Sequence, residues 1–109
     1  MNLWLREPLT DEITQVPGLG AHYKDHLMQV PADLQKIGGE EPITTPYQLI
    51  GKYLMMKGQG VGCVDQANRF ILWLKARGIK SGRNSVTEAI AEKCNLMVPG
   101  IYQKELFMK

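Results

Sequence analysis

Apolar residues recur every three or four positions along most of the chain, the period of helices with one buried face. Tyr23, Leu27 and Val30 predict a helix over residues 21–29, ended by Pro31. Tyr47, Ile50, Tyr53 and Leu54, widened by Leu49 and Met56, predict a second. Its start is marked by Thr45 as the cap and Pro46 at the first helical position. Ala67, Phe70, Ile71, Trp73 and Leu74 give the broadest apolar face, over 65–77, so this helix is expected to be central, with Gly78 ending it. Val86, Ala89, Ile90 and the Lys93/Cys94 pair predict a last helix over 85–95. A short helix over 11–15 is expected to bury Ile13 and Val16 behind Thr10 as its cap, and residues 33–37 to add one turn. Trp4 and Leu5 are expected to dock on the core. Apart from a weak hint near Ile43, no stretch alternates over a strand length. The fold class is therefore all-α, a single domain of five or six helices over residues 1–109. Gly51 costs roughly 1 kcal/mol inside its helix, which predicts a second helix crossing closely there. Gly58–Gly62 reads as a flexible linker, Val98–Tyr102 as a chance echo of an earlier bend, and residues 101–109 as a tail with a turn of helix at most.

The stretch the rest supports is Val16-Pro17-Gly18-Leu19-Gly20. Two glycines one residue apart permit a sharp turn, because glycine tolerates positive φ. No strand precedes them and no third glycine follows, which excludes a dinucleotide-binding turn. The chain instead bends between two helical segments, the pattern of a helix-hairpin-helix. Free amides at the start of the second helix, with the positive end of its dipole, can hold a phosphate oxygen. Gly18, Leu19 and Gly20 are the first candidate DNA-binding residues, and His22, Lys24 and His26 lie close by. The two histidines have the i, i+4 spacing of metal ligands, but a third ligand is missing. Neither a metal nor a cofactor is expected.

Composition adds little: 44% apolar and 22% charged residues are ordinary for a globular domain. There is no run of about 18 apolar residues to span a membrane. The first residues lack the pattern of a secretion signal, so Cys63 and Cys94 read as free thiols in a reducing compartment. The methionines read as core filler. Charge is more informative. Up to residue 45, seven acids face three bases; beyond it, ten bases face four acids. From Gln66 to Asn84 there is no acid, while Arg69, Lys75, Arg77, Lys80 and Arg83 occur. Such asymmetry points to a polyanionic partner.

The order of these pieces resembles the barrier-to-autointegration factor (BAF) family. The resemblance is carried by Glu7-Pro8, Gly18-Leu19-Gly20, Tyr47…Ile50-Gly51…Tyr53-Leu54 and Phe70…Trp73-Leu74-Lys75, and spans about residues 5–95. It implies a small helical homodimer that binds double-stranded DNA without sequence preference. With one site per subunit on opposite sides, such a dimer can bridge and compact DNA. It places the site on Gly18, Leu19, Gly20, His22, Tyr23 and His26, with Gly82 and Arg83 at the start of the last helix. Animal members also bind nuclear-envelope proteins that carry the LEM domain. In a eukaryote the resemblance implies a nuclear, chromatin-associated protein; otherwise an intracellular one. The chain departs from the family pattern at its shortened beginning, at His26 where a lysine is usual, and in inserts over 31–45 and 58–64. Lys24 is the expected substitute for that lysine.

The expected function is therefore sequence-independent duplex binding through phosphates. The alternative is a helical protein-interaction module with a non-functional hairpin. A glycosylase-like enzyme, with Asp25 or Asp33 as its acid, needs a pocket between larger lobes that 109 residues leave little room for. No catalytic residue is assigned.

Overall fold

The computed structural model describes residues 2–32, 34 and 40–103, apart from the side chains of Asn2 and His22. The turn expected over 33–37, except Leu34, and the tail beyond Gln103 lie outside the described residues. Five α-helices lie wholly within them: α1 (Asn2–Arg6), α2 (Ala21–Met28), α3 (Pro46–Met55), α4 (Cys63–Ala76) and α5 (Arg83–Met97). A single 3-10 turn, Ile13–Gln15, precedes α2. No strand occurs among the described residues, so the molecule is all-α.

Thr45 starts α3 as expected. Its hydroxyl accepts from the Gln48 amide at 3.3 Å, and the Gln48 carboxamide accepts from the Thr45 amide at 3.1 Å. This reciprocal cap satisfies donors that a helix start leaves open. The helix expected over 11–15 is only the 3-10 turn. Thr10 does not cap it: its hydroxyl accepts from the Glu12 amide, and the Glu12 carboxylate caps Thr14. With Pro17 closing the segment, these local side-chain bonds outcompete a helix too short to propagate.

The helix with the most neighbours is α5, not α4 as its broader apolar face predicted. It packs against α1, α3 and α4. Ala89 and Ala91 are fully buried on it beside Val86, Ile90 and Cys94, and such small residues allow close approach from several sides. Burial pushes the Cys94 thiol up to about 12. α5 also holds both described ends of the chain. Trp4 is buried as expected, its indole donating to the Ala89 carbonyl at 2.8 Å. The Lys93 ammonium donates to the Trp4 and Glu7 carbonyls and lies 4.8 Å from the Trp4 ring centroid. Burial lowers the pKa of this ammonium, while the open carbonyls at the end of α1 supply its partners. At the other end, the Asn95 carboxamide accepts from the Gly100 and Tyr102 amides, turning the chain so that Tyr102 is buried.

A second knot lies between α2, α3 and α4. Arg77, read from the sequence as part of a basic face, is instead buried, its side chain 0% exposed. It donates to the Leu27 and Gln29 carbonyls at the end of α2, to the Glu41 carbonyl, and to the Glu40 carboxylate at 3.3 Å. Glu40 also accepts from Lys52 at 2.7 Å and from the Trp73 indole at 2.9 Å. Both cations stack near the Trp73 ring, at 5.4 and 5.5 Å.

Other expectations change where packing decides. Tyr47 is 53% exposed, and its hydroxyl donates to the Leu9 carbonyl. Met28, Met55 and Met97 are exposed, not core filler. Among the described residues no helix crosses at Gly51: a Cβ there would meet none of their atoms within 4 Å. Gly58–Gly62 is a hydrogen-bonded turn that buries Val61, not an open linker.

Glu40 generates a test. Burial opposes its ionisation, but the Lys52 and Trp73 hydrogen bonds and the two cations prevail and hold it below the usual carboxylate range. A lowered folded pKa contributes stability that is present above the unfolded value and lost as pH falls through the folded one. Glu40→Gln leaves Arg77 buried without its counter-charge. We expect a loss of about 3 kcal/mol in urea unfolding at neutral pH, and a weaker acid destabilisation in the variant than in the parent.

Candidate nucleic-acid interface

The bend stands on a buried foot. Leu19 is 2% exposed, packed with Ile13 and Val16, and its amide donates to the Val16 carbonyl at 3.1 Å. Its side chain therefore serves the core, and only its backbone belongs to the bend. Gly18 and Gly20 on either side are exposed. Gly18 has φ +87°, the left-handed region that only glycine enters freely. Gly20 is the N-cap of α2 and offers no side-chain acceptor.

The bend packs directly on the start of α5. A Cβ on Gly18 would stand 3.2 Å from the Ser85 Cβ and 3.3 Å from a Val86 methyl. A Cβ on Gly82 would stand 3.2 Å from the Gly18 carbonyl oxygen. Gly82 caps α5 in the left-handed region, again without a side-chain acceptor. The starts of α2 and α5 thus lie side by side. Neither carries an acid in its first turn. α4 begins on Gly62, also without a side-chain cap, but has Asp65 in its first turn, so its own acid complements that dipole.

Between α4 and α5, residues 80–85 line a polar cleft of about 330 Å³. The sequence reading had Gly82 and Arg83 here, and Lys80 only as part of a basic run; Ser81, Asn84 and Ser85 were missed. The two left-handed glycines that bracket this loop, Gly78 and Gly82, were the available signal. Arg83 is half-buried and donates to the Ile79 carbonyl at 2.8 Å. Lys80 is exposed. Tyr23 reaches the loop from α2, its hydroxyl 2.9 Å from Ser81 Oγ. That hydrogen bond holds the Tyr23 phenol below its usual pKa.

The remaining candidates are less central. Lys24 is paired with Glu12 at 3.2 Å, both side chains exposed. His26 lies over the end of α4, where a Cβ on Gly78 would stand 2.8 Å from its Nδ1, and lines a cleft with Arg77 and Gly78. The structure therefore groups Gly18, Gly20, Tyr23, Gly82 and Arg83, turns Lys24 toward Glu12, and sets His26 apart. The His22 side chain lies outside the described residues. Among the described residues no group of three His, Cys, Asp or Glu side chains is placed to hold a metal ion. No described helix is long and apolar enough to cross a membrane.

Gly82→Ala tests the contact between bend and helix start. A side chain at φ +73° costs about 1 kcal/mol, and the new methyl presses on the Gly18 carbonyl. We expect lower thermal stability and shifted amide resonances at residues 18–20. Gly20→Ala, with open space around it, leaves the amide resonances across the contact, at residues 82–86, nearly in place.

Neither a protein-family model, nor a curated protein, nor a solved structure matches this chain.

Proposed function

We propose that this protein binds the phosphate backbone of duplex DNA without reading sequence. The observation that carries the reading is the pairing of two helix starts, α2 and α5, across the contact of Gly18 with Gly82. Both lack a side-chain cap and an acid in the first turn, and both dipoles present positive ends there. Backbone amides at such ends bind phosphate oxygens. Lys80 and Arg83 add charge beside them, in a stretch where Gln66 to Asn84 contains no acid. Contacts of this kind fix the protein on the duplex and carry no base information. The likeness of the chain to the BAF family adds to the reading.

The same likeness supports a homodimer that joins two duplexes, and α3 offers a face for it. Tyr47, Gly51 and Met55 follow one another at i, i+4 and i+8, all exposed. Two copies of α3 crossing antiparallel at Gly51 place Tyr47 of each against Met55 of the other, a favourable sulfur–aromatic contact. The cost of a glycine in this helix, unreturned within one chain, is then offset between two. In a eukaryote this activity belongs with chromatin in the nucleus.

Mobility-shift titrations on several unrelated duplexes test the DNA reading. We expect equal affinities that fall about tenfold between roughly 50 and 200 mM salt, as for two phosphates neutralised per site. Gly20→Glu, whose Cβ would meet no atom within 4 Å, should abolish binding with helix content intact. Sequence-dependent binding, or unchanged affinity in the variant, overturns the proposal.

For the dimer, light scattering should report twice the 12.3 kDa chain mass. Gly51→Gln should return the monomer mass while raising helix stability, since glutamine is the better helix former. A parent of monomer mass removes the dimer.

A further inference from the structure

We infer that Tyr23 is a positioning residue: its hydroxyl, through Ser81, sets the loop before α5 in the register that phosphate binding needs. This deepens the DNA reading and rests on it. The loop leaves α4 at Gly78 and enters α5 at Gly82, both with left-handed φ, +93° and +73°. Only Ile79, Lys80 and Ser81 lie between them. Ile79 is fully buried, and its carbonyl accepts from Arg83. These contacts tie the loop to the core and to α5. The bond of 2.9 Å between Tyr23 Oη and Ser81 Oγ ties it across 58 residues to α2, the helix whose start forms the other half of the cradle.

The Tyr23 ring is only half-exposed and packs against the core, so the hydroxyl projects from a fixed base. A loop bracketed by two glycines samples many conformations when released. Apparent affinity falls in proportion to the fraction of molecules in the competent conformation. The Tyr23–Ser81 bond raises that fraction without itself touching the ligand. The chemistry recognised is a phosphate oxygen at each helix start, held at the spacing the bond maintains.

The test uses the full-length chain and a short duplex as the probe. Tyr23→Phe and Ser81→Ala should each weaken binding about threefold, as when the competent fraction falls to a third. The double variant should be no weaker than either single one, because both remove the same bond. Ser81→Thr, which keeps the hydroxyl, should restore the parent affinity. The slope of affinity against salt should stay unchanged in all of them, since no cation is lost. Amide exchange at residues 81–83 should quicken in the two single variants with the melting temperature kept. A merely structural role for Tyr23 would lower the melting temperature and leave Ser81→Ala harmless. A direct Tyr23–phosphate contact would also leave Ser81→Ala harmless, since the phenol stays. Parent binding with unaltered affinity in both single variants, or with additive losses, overturns the positioning role alone. A parent that binds no duplex overturns this role and the DNA reading together.

Discussion

A guanidinium enclosed by protein must be neutralised and hydrogen-bonded where it lies, and this requirement on Arg77 organises one half of the molecule. Arg77 collects the carbonyls that end α2 and the carboxylate of Glu40, which in turn engages Lys52 of α3 and Trp73 of α4. Three helices and the segment before α3 are thereby held by one side chain. Removing one member of such a group is costly because the others stay buried. The arrangement also has a directional effect. Fixing the end of α2 on the end of α4 fixes where α2 begins, and the chain leaving α4 at Arg77 needs only a few residues to bring the start of α5 beside it. The geometry of the exposed bend is thus set from inside, by an ion pair on the far side of α2.

The periodicity of apolar residues was enough to find α3, α4 and α5, because each buries a face wide enough to mark the sequence; α2, where only Leu27 is fully buried, was bounded by the glycines before it and Pro31 after it. The start of α3 was readable to the residue, since Thr45, Pro46 and Gln48 act locally and their effect does not depend on the rest of the fold. What escaped was the fate of long polar side chains. A lysine or arginine looks the same in sequence whether its head meets water or a carbonyl. Arg77 and Lys93 were therefore read as surface or as helix pattern, when both heads are taken up by main-chain oxygens. Tyr47 and Gly51 failed for a related reason. A stripe predicts which residues share a helix face, not whether this chain has anything to cover it.

The candidate site was legible in its backbone part and less so in its charged part. Gly18 and Gly20 announce a bend on steric grounds alone. Whether a nearby cation points outward depends on partners distant in sequence, and Glu12 draws Lys24 aside. The basic stretch from 66 to 84 likewise divides. Arg69, Lys75 and Lys80 are exposed, Arg83 is half-buried and bonded to Ile79, and Arg77 lies inside. What remains beside the bend is a small number of cations and two helix starts without a side-chain cap. In such a site the main chain supplies the geometry, and the side chains supply long-range attraction.

The two attachments in the last turns of α5 bear on how the molecule opens. Unzipping usually begins where a chain ends, because the last residues have the fewest contacts. Here residues 4–7 are buckled to Lys93, and residues 100–102 to Asn95, two positions apart on one helix. Neither of these two segments can peel away gradually without disturbing the helix that clasps the other. The fold therefore resembles a belt closed at a single clasp, in which loosening either end is felt at both.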